Sequence, residues 1–240
     1  MDVLDISATP PSAQAPRADL FLLKSRSDAA LALAAEVESQ GAIVVNSHDA
    51  TATCLDRAWA ALLLDEAGIR SPRTRAVPAL RGATSSIISA MGLTFPLIVK
   101  SRRSRKGDLV TSVGSQLELD GLKPQWGAEP VILQEYLPSD GWDVKAWGIG
   151  DAVFLAQRRS PLTAAAGDPR IPEHVAAECT AVAALAGRAF GLSLYGVDLL
   201  ITPAGPAVID VNAFPGFRSV PNAHIHLAGL VKRLLEEGRS

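Results

Sequence analysis

The 240-residue sequence predicts an α+β fold in which a short parallel unit precedes a larger antiparallel body. Three observations carry the prediction. Near the N-terminus two apolar, strand-like runs flank an alanine- and leucine-rich helical run, the pattern of a βαβ unit with a parallel pair. Further along, apolar runs are joined by Gly150-Asp151 and by Pro203-Ala204-Gly205-Pro206, tight turn residues that mark antiparallel hairpins. One long alanine-rich helical segment lies between those hairpins and an amphipathic one follows them.

Each element has a local reason. Residues 8–18 are rich in Pro, Ala and Ser with no hydrophobic period, so residues 1–18 read as a flexible arm. Residues 19–24 form the first expected strand. Residues 27–40 form a helix with a Ser-Asp start and Gly41 as its stop, and residues 42–46 form the partner strand. A linker helix is expected from Thr53 to about Ala67, ended by Gly68, and Ser71-Pro72-Arg73 closes the segment. The domain division is therefore expected between 19–72, a short α/β unit with its linker helix, and 73–240, the main domain. Residues 96–100 and 131–135 read as buried strands, and 143–149 with 152–158 as a hairpin. A helix starts with Pro172 in its first turn and ends at Gly191. Residues 195–202 and 207–212 form the last hairpin, residues 223–237 the final surface helix, and no internal repeat is visible.

Composition excludes several function classes. Lys plus Arg number 23 against 25 Asp plus Glu, a formal charge of −2, so no global field draws nucleic acid or an anionic membrane. The longest apolar stretch, residues 58–64, falls far short of the ~20 residues that span a bilayer. The N-terminus has no basic segment followed by an apolar run, so no signal peptide is expected. Two cysteines, Cys54 and Cys179, are too few for a disulfide framework or a zinc ribbon and are expected to be reduced apolar fillers. The expectation is a cytoplasmic protein with neither a nucleic-acid nor a membrane partner.

The chemistry concentrates near the last hairpin. Asp210 and Asn212 are two apart on a strand and leave the same face, while Val211 turns the other way. Asp198 lies on the preceding strand. If paired residue numbers sum to an even value, all three oxygen-bearing side chains share one patch, and opposed carboxylates call for a cation between them. A hard divalent ion takes one or two carboxylates plus phosphate oxygens and water, so Mg²⁺, with Mn²⁺ as an alternative, suits the pattern. The ordinary alternative is a pair of charges on the solvated face of an edge hairpin. Lys100 ends an apolar strand, where it acts as a point charge on phosphate or is simply solvated. The loop from Ser101 to Asp108 holds Arg102, Arg103, Arg105 and Lys106 with one glycine, Gly107; phosphate contact and plain solvation are both open. Arg158, at a hairpin end, is a phosphate clamp or a surface ion pair.

The stretch from Tyr195 to Phe217, with Gly196-Val197-Asp198, a hairpin, then Asp210-Val211-Asn212 and a Pro215-Gly216 turn, resembles the metal-binding signature of the ATP-grasp superfamily. The resemblance runs from about Asp19 to Leu235 and implies an ATP-grasp fold: two α+β halves holding ATP between antiparallel sheets, behind a shortened N-terminal βαβ unit. It implies Asp198, Asp210 and Asn212 as metal ligands and ATP with Mg²⁺ as cofactors. Lys100 resembles the nucleotide-binding lysine, and the 101–108 loop takes the place of the glycine-rich phosphate loop, with Arg102, Arg105 and Lys106 on phosphate. Gln134, Glu135, Tyr136 and Leu137 take the hinge that pairs with adenine. Gly141-Trp142-Asp143-Val144-Lys145 resembles the Gly-x-Asp-x-Arg of the ribosomal-tail glutamate ligases, which makes Asp143 a cofactor-site residue and Lys145 a catalytic one beside Arg158 and Asn212. The linker segment ending in Ser71-Pro72-Arg73-Thr74 is similar to that of the same ligases, with Arg57 at the position of a phosphate-binding lysine.

Within the superfamily the features divide. Asp210 as the acidic ligand and the Gln157-Arg158-Arg159-Ser160 run resemble the inositol trisphosphate kinase branch. The Asp143-x-Lys145 motif and the linker resemble the ligases. Ser139 stands where those kinases place a substrate-binding histidine, and an Arg-x-Asn-x-His-Arg-Gly-Gly stretch typical of the ligases is missing after Arg159. The resemblance therefore implies an ATP- and Mg-dependent ligase that joins a carboxylate to an amine through an acyl phosphate, with a small-molecule or peptide acceptor. A kinase phosphorylating a hydroxyl is the alternative.

Overall fold

The computed structural model describes residues 2–4, 17–160, 162 and 171–238. Of the arm expected over residues 1–18, only 2–4, 17 and 18 lie among the described residues; Pro161 lies outside them.

The front of the chain is a parallel pair, β1 (Leu20–Leu22) and β2 (Ile43–Val45), joined through α1 (Asp28–Ser39). Ser27 caps α1 by accepting from Ala30 N at 3.2 Å, satisfying one of the backbone donors a helix start leaves over. The linker helix expected over residues 53–67 is two helices, α2 (His48–Leu55) and α3 (Arg57–Glu66). The break is Asp56, whose backbone is extended and whose carboxylate accepts from Ala58 N at 3.0 Å and Trp59 N at 3.2 Å. Ala and Leu run through both helices, so hydrophobic periodicity alone hides the cap between them.

Two four-stranded antiparallel sheets follow. The first has the order β3-β6-β4-β5, from β3 (Thr74–Val77), β4 (Leu97–Ser101), β5 (Val110–Val113) and β6 (Val131–Glu135), with α4 (Ser85–Ala90) and α5 (Gln116–Trp126). Strands β3 and β5 and helices α4 and α5 went unanticipated, being short or polar. One of them carried a readable signal, Ser115 with Glu118 three residues on: Glu118 N donates to the capping Ser115 Oγ at 3.3 Å, and Glu118 Oε2 accepts from Gly114 N, one residue before the cap, at 2.8 Å. The second sheet has the order β10-β9-β7-β8, from β7 (Trp142–Ile149), β8 (Ala152–Arg159), β9 (Leu194–Thr202) and β10 (Gly205–Ala213). Helix α6 (Glu173–Ala189) packs on it, with α2 and α3 in the same core, and α7 (Ala223–Glu237) closes the end nearest β2.

Strand periodicity decides what faces the cleft. In β4, Leu97 and Val99 enter one core, which leaves Ile98 and Lys100 on the other face. In β9 and β10, Val197, Leu199, Val208 and Val211 enter the second core, which leaves Asp198, Leu200 and Asp210 facing the same cleft. The second sheet's packing needs two glycines: a Cβ at Gly148 would lie 2.0 Å, and one at Gly187 2.4 Å, from the buried Tyr195 ring. The N-terminal unit is tied to this sheet by buried Asn46, which donates through Nδ2 to Leu194 O at 2.6 Å. Its Oδ1 accepts from Ser193 N at 2.8 Å and Leu194 N at 2.9 Å.

Candidate active site

The hairpin of β9 and β10 carries the carboxylates. Asp210 pairs directly with Asp198 and Asn212 with Gly196, a register with even sums. Nearer the turn the sums are odd, as in Val208 with Leu199, and a bulge at Ile209 converts one register into the other. The bulge also turns Ile209 O out of the ladder, and Lys100 Nζ donates to it across the cleft at 2.9 Å. Burial pulls the Lys100 pKa down, against the opposing pull of Asp210.

Around the carboxylates sits a ring of cations. Lys145 lies opposite Asp198 on β7 and brings Nζ within 2.8 Å of its Oδ1; Arg158 Nη2 is 3.1 Å from the same atom. These are ion-pair approaches without hydrogen-bond direction, so Asp198 Oδ1 is a buried acceptor with no directed donor. Asp143 is buried with Oδ1 in the same condition, its Oδ2 lies 3.9 Å from Arg158 Nε, and burial pushes its carboxyl up. Arg57, also buried, donates through Nη1 to Ser101 O at 2.9 Å and to Asp108 Oδ2 at 2.5 Å, and its Nε is 3.9 Å from Asp210 Oδ1. The carboxylates placed to share a hard cation are Asp198 and Asp210, paired directly across the strands, and Asp198 Oδ1 has no directed hydrogen bond. Among the described residues no group of three His, Cys, Asp or Glu side chains converges, so phosphate oxygens and water would complete its shell.

Asn212 is arranged differently from the expectation. Its Nδ2 donates to Asp210 Oδ2 at 3.3 Å, and its Oδ1 accepts from Arg26 Nη1 at 3.3 Å, so the oxygen that would meet a metal faces a guanidinium. Of the hinge residues, Gln134 donates through Nε2 to Thr74 Oγ1 at 3.1 Å and Glu135 Oε2 accepts from Arg73 N at 3.2 Å. Those side chains serve the sheet, and Glu135 N already donates to Arg73 O at 2.8 Å, so the chain just past the strand end, at Tyr136 and Leu137, is what remains to meet a ligand. Gln134, Glu135, Tyr136 and Leu137 line the same cleft as Arg57, Lys100, Asp143, Arg158, Asp198 and Asp210, and Ile98, Leu200 and Ile209 supply apolar walls for a flat ring.

The basic loop corrects an expectation. Arg102 makes a forked pair with Asp56, through Nε to both oxygens at 3.0 and 2.9 Å and through Nη2 at 2.7 Å. Arg103 pairs with Asp28, and Arg105 Nη1 lies 2.6 Å from Glu129 Oε1. Arg102, Arg105 and Lys106 do not line the cleft; of the loop's four cations only Lys106 lacks an ion pair among the described residues. Neither phosphate nor solvent but carboxylates distant in sequence neutralise three of the loop's four cations. Sequence reasoning also missed Lys24 and Arg26. Lys24 Nζ donates to Phe214 O at 2.5 Å and Pro215 O at 2.8 Å, and Arg26 Nη2 to Ala213 O at 3.3 Å. Both follow the first strand of a βαβ unit, where ligand-facing loops gather, and that position was the available signal.

Two antiparallel sheets closing on a cleft, one bringing a buried lysine and the other paired carboxylates, are the ATP-grasp fold. A D-alanine–D-alanine ligase from Bacillus anthracis solved with ATP shares that fold at a TM-score of 0.70 and 18% identity, covering 92% of this chain and 79% of that one. The RimK domain protein ATP-grasp from Sphaerobacter thermophilus DSM 20745 superposes with a TM-score of 0.71 at 26% identity, over 94% of this chain and 84% of that one. The model of the RimK-like ATP-grasp domain matches residues 54–235, and the chain belongs to that family. A probable alpha-L-glutamate ligase of Xanthomonas oryzae pv. oryzae (strain MAFF 311018) is 30% identical over 217 residues, 84% of this chain and 71% of the relative. A second, of Shewanella loihica (strain ATCC BAA-1088 / PV-4), is 28% identical over 224 residues, 86% of this chain and 71% of the relative. Among the described residues no helix is long and apolar enough to cross a membrane.

Proposed function

We propose that the chain is an ATP-dependent carboxylate–amine ligase. The observation that carries the reading is the opposition of Asp198 and Asp210 on adjacent strands in one cleft, with Arg158 on the same sheet and Lys100 and Arg57 also lining it. Such a site neutralises phosphate and positions it, and the chemistry asks for no protein nucleophile. In the first step a substrate carboxylate oxygen attacks the γ-phosphorus of ATP, the bond to the β-phosphate bridging oxygen breaks, and ADP leaves. In the second an amine attacks the acyl carbon of the resulting acyl phosphate, a C–N bond forms, inorganic phosphate departs, and the amine loses a proton.

Lys100 and Arg57 hold phosphate charge, while Arg158 and Lys145 stabilise the charge that develops on the transferring group. Asp198 and Asp210 would hold Mg²⁺, with Mn²⁺ as the alternative, and Asn212 would join them once its oxygen leaves Arg26. The ion when bound would neutralise the β- and γ-phosphate oxygens. Gln134 to Leu137 frame the adenine, with backbone groups at the strand end to pair with it, and Asp143, 3.9 Å from Arg158 Nε, helps to hold Arg158. The division proposed with this reading assigns 19–72 to the preceding unit and 73–240 to the nucleotide-binding body, in line with the change from a parallel pair to antiparallel sheets. Use of ATP and two buried free thiols favour a cytoplasmic location.

The kinase alternative is not favoured, because the named relatives are ligases. Their names make L-glutamate the first amine to supply, with small acids and peptide C-termini as the carboxylate. The test is incubation with Mg·ATP and such a panel, scoring ADP, free phosphate and product mass. ADP with free phosphate and a condensed product is expected; a phosphorylated product without free phosphate would overturn the ligase reading.

A further inference from the structure

A second pocket of about 530 Å³ adjoins the nucleotide cleft and shares Arg158 and Asp198 with it. Its charged walls are Arg26, Lys145, Arg158 and Asp198, a surplus of two positive charges, and the one carboxylate is already flanked by Lys145 and Arg158. That leaves Arg26. It has no carboxylate partner among the described residues, and its guanidinium rests on two neutral oxygens, Asn212 Oδ1 and Ala213 O, each at 3.3 Å. A guanidinium offers five donors in a planar fork that matches a carboxylate, so two long bonds to amides leave most of its capacity unused.

Arg26 is nonetheless held in place. Lys24, two residues before it, is fastened to Phe214 O and Pro215 O, and Ser27, the next residue, caps α1. The far side of the pocket is braced by Trp147, whose Nε1 donates to Gly216 O at 3.1 Å. The pocket is thus a positively charged, open recess that meets the candidate nucleotide cleft at Arg158 and Asp198, with one arginine that has no carboxylate partner among the described residues and is positioned by its neighbours.

We propose that Arg26 binds a carboxylate of the substrate other than the one that reacts, and so makes the enzyme selective for substrates carrying this extra acidic group. This inference rests on the ligase reading for the reaction itself, but the recognition is separable from it. The extra carboxylate could belong to a free amino-acid substrate or to the end of an acidic peptide; the recognising chemistry is the same, and Arg26 acts as a specificity-determining residue in either case.

The experiment compares wild type with Arg26→Gln and Arg26→Lys. Binding of L-glutamate and L-glutamine, and of two short peptides ending in Glu or Gln, is measured by calorimetry with Mg²⁺ and a non-hydrolysable ATP analogue present. Turnover of the same four substrates is measured with ATP. Wild type is expected to prefer the acid over the amide in one of the two pairs, and that pair identifies the source of the carboxylate. Arg26→Gln should reduce the preference by about 10- to 100-fold, the worth of a charge-assisted bidentate contact, with the dissociation constant of the nucleotide analogue changed less than about twofold. Arg26→Lys keeps the charge without the fork and should reduce the preference by an intermediate factor. Should Arg26→Gln fail to fold, Arg26→Lys decides. An acid-to-amide preference unaltered in the folded variants, or absent from wild type in both pairs, overturns the proposal. If wild type binds acids through Arg26 yet forms no amide, the ligase reading fails and this site stands. If amides form with no acid preference, the ligase stands and this site falls.

Discussion

At the scale of single residues, Asp198 and Asp210 face each other yet carry different burdens. Asp198, with its side chain 9% exposed, neutralises Lys145 and Arg158 at close range, whereas Asp210, at 24%, has Arg57 at 3.9 Å, the Asn212 amide and the longer-range attraction of Lys100. Opposed carboxylates in isolation would repel, and removing either would then stabilise the fold. The cation ring reverses that for Asp198 alone. Asp198→Ala is expected to cost about 2–4 kcal/mol in urea unfolding, since it strands two partly buried cations, and Asp210→Ala less than about 1 kcal/mol. Both should abolish ATP turnover; equal stability losses would refute the asymmetry. Lys100 obeys a different sign. Its folded pKa is lowered by burial, so between that lowered value and its ordinary one the folded state binds fewer protons than the unfolded chain, and stability rises with pH across the window. Lys100→Met should be at least as stable as wild type at pH 7 and should lose that rise on the alkaline side, as read by urea unfolding at several pH values. The Michaelis constant for ATP should increase at least about tenfold, the worth of a buried cation on phosphate.

At the scale of elements, the join between α2 and α3 and the loop of residues 101–108 act as one unit. Asp56 caps α3 through two backbone bonds and grips Arg102 through three, and Asp56 and Arg103 also form a backbone bridge. Burial alone would raise the Asp56 carboxyl, but the bonds from Arg102, Trp59 N and Ala58 N outweigh it and hold the pKa below the ordinary value. A lowered folded pKa means this stabilisation is present above the ordinary carboxylate range and is lost as pH falls through the folded value. Hydrogen-exchange protection of residues 101–108 should therefore decline below about pH 4. Asp56→Asn keeps a capping oxygen and loses the charge, so it should cost under about 1 kcal/mol; Asp56→Ala removes both and should cost about 1–2 kcal/mol. Identical losses would mean the cap contributes nothing. The bulge at Ile209 belongs to this scale too: it reconciles the register that the Pro203-Ala204 turn imposes with the one that opposes the carboxylates, and its carbonyl becomes the resting partner of Lys100.

At the scale of the whole molecule, the N-terminal unit matters because it delivers Lys24 and Arg26 to the end of β10. Its attachment runs through Asn46, which is 2% exposed and bonds three backbone groups of Ser193 and Leu194. Asn46→Ala takes the side-chain acceptor away from Ser193 N and Leu194 N, while Leu194 O keeps Phe214 N, and should cost about 1–3 kcal/mol. If the unit is positioned by that residue, the variant should also bind an acidic substrate more weakly while retaining nucleotide binding, as measured by calorimetry. Loss of both together would point to general unfolding.

Much of this was legible in the chain. Alternation in Leu97 to Lys100 and in Asp210 to Asn212 set which side chains leave each sheet toward the cleft, because a strand has a period of two whatever it packs against. Gly150-Asp151 and Pro203-Ala204 marked the hairpins, since few residues accept those turns. The spacing of Asp198, Asp210 and Asn212 carried the likeness to ATP-grasp proteins. Tertiary structure alone decided where charges separated by long stretches of chain would meet: Arg102 with Asp56, Arg105 with Glu129, Arg26 with Asn212, and Lys24 with Phe214 and Pro215. A run of four cations has the same local pattern whether solvent, phosphate or distant carboxylates neutralise it. Periodicity and turn chemistry act over a few residues, but a charge takes whichever partner the folded chain brings within about 4 Å, and no local spacing encodes that.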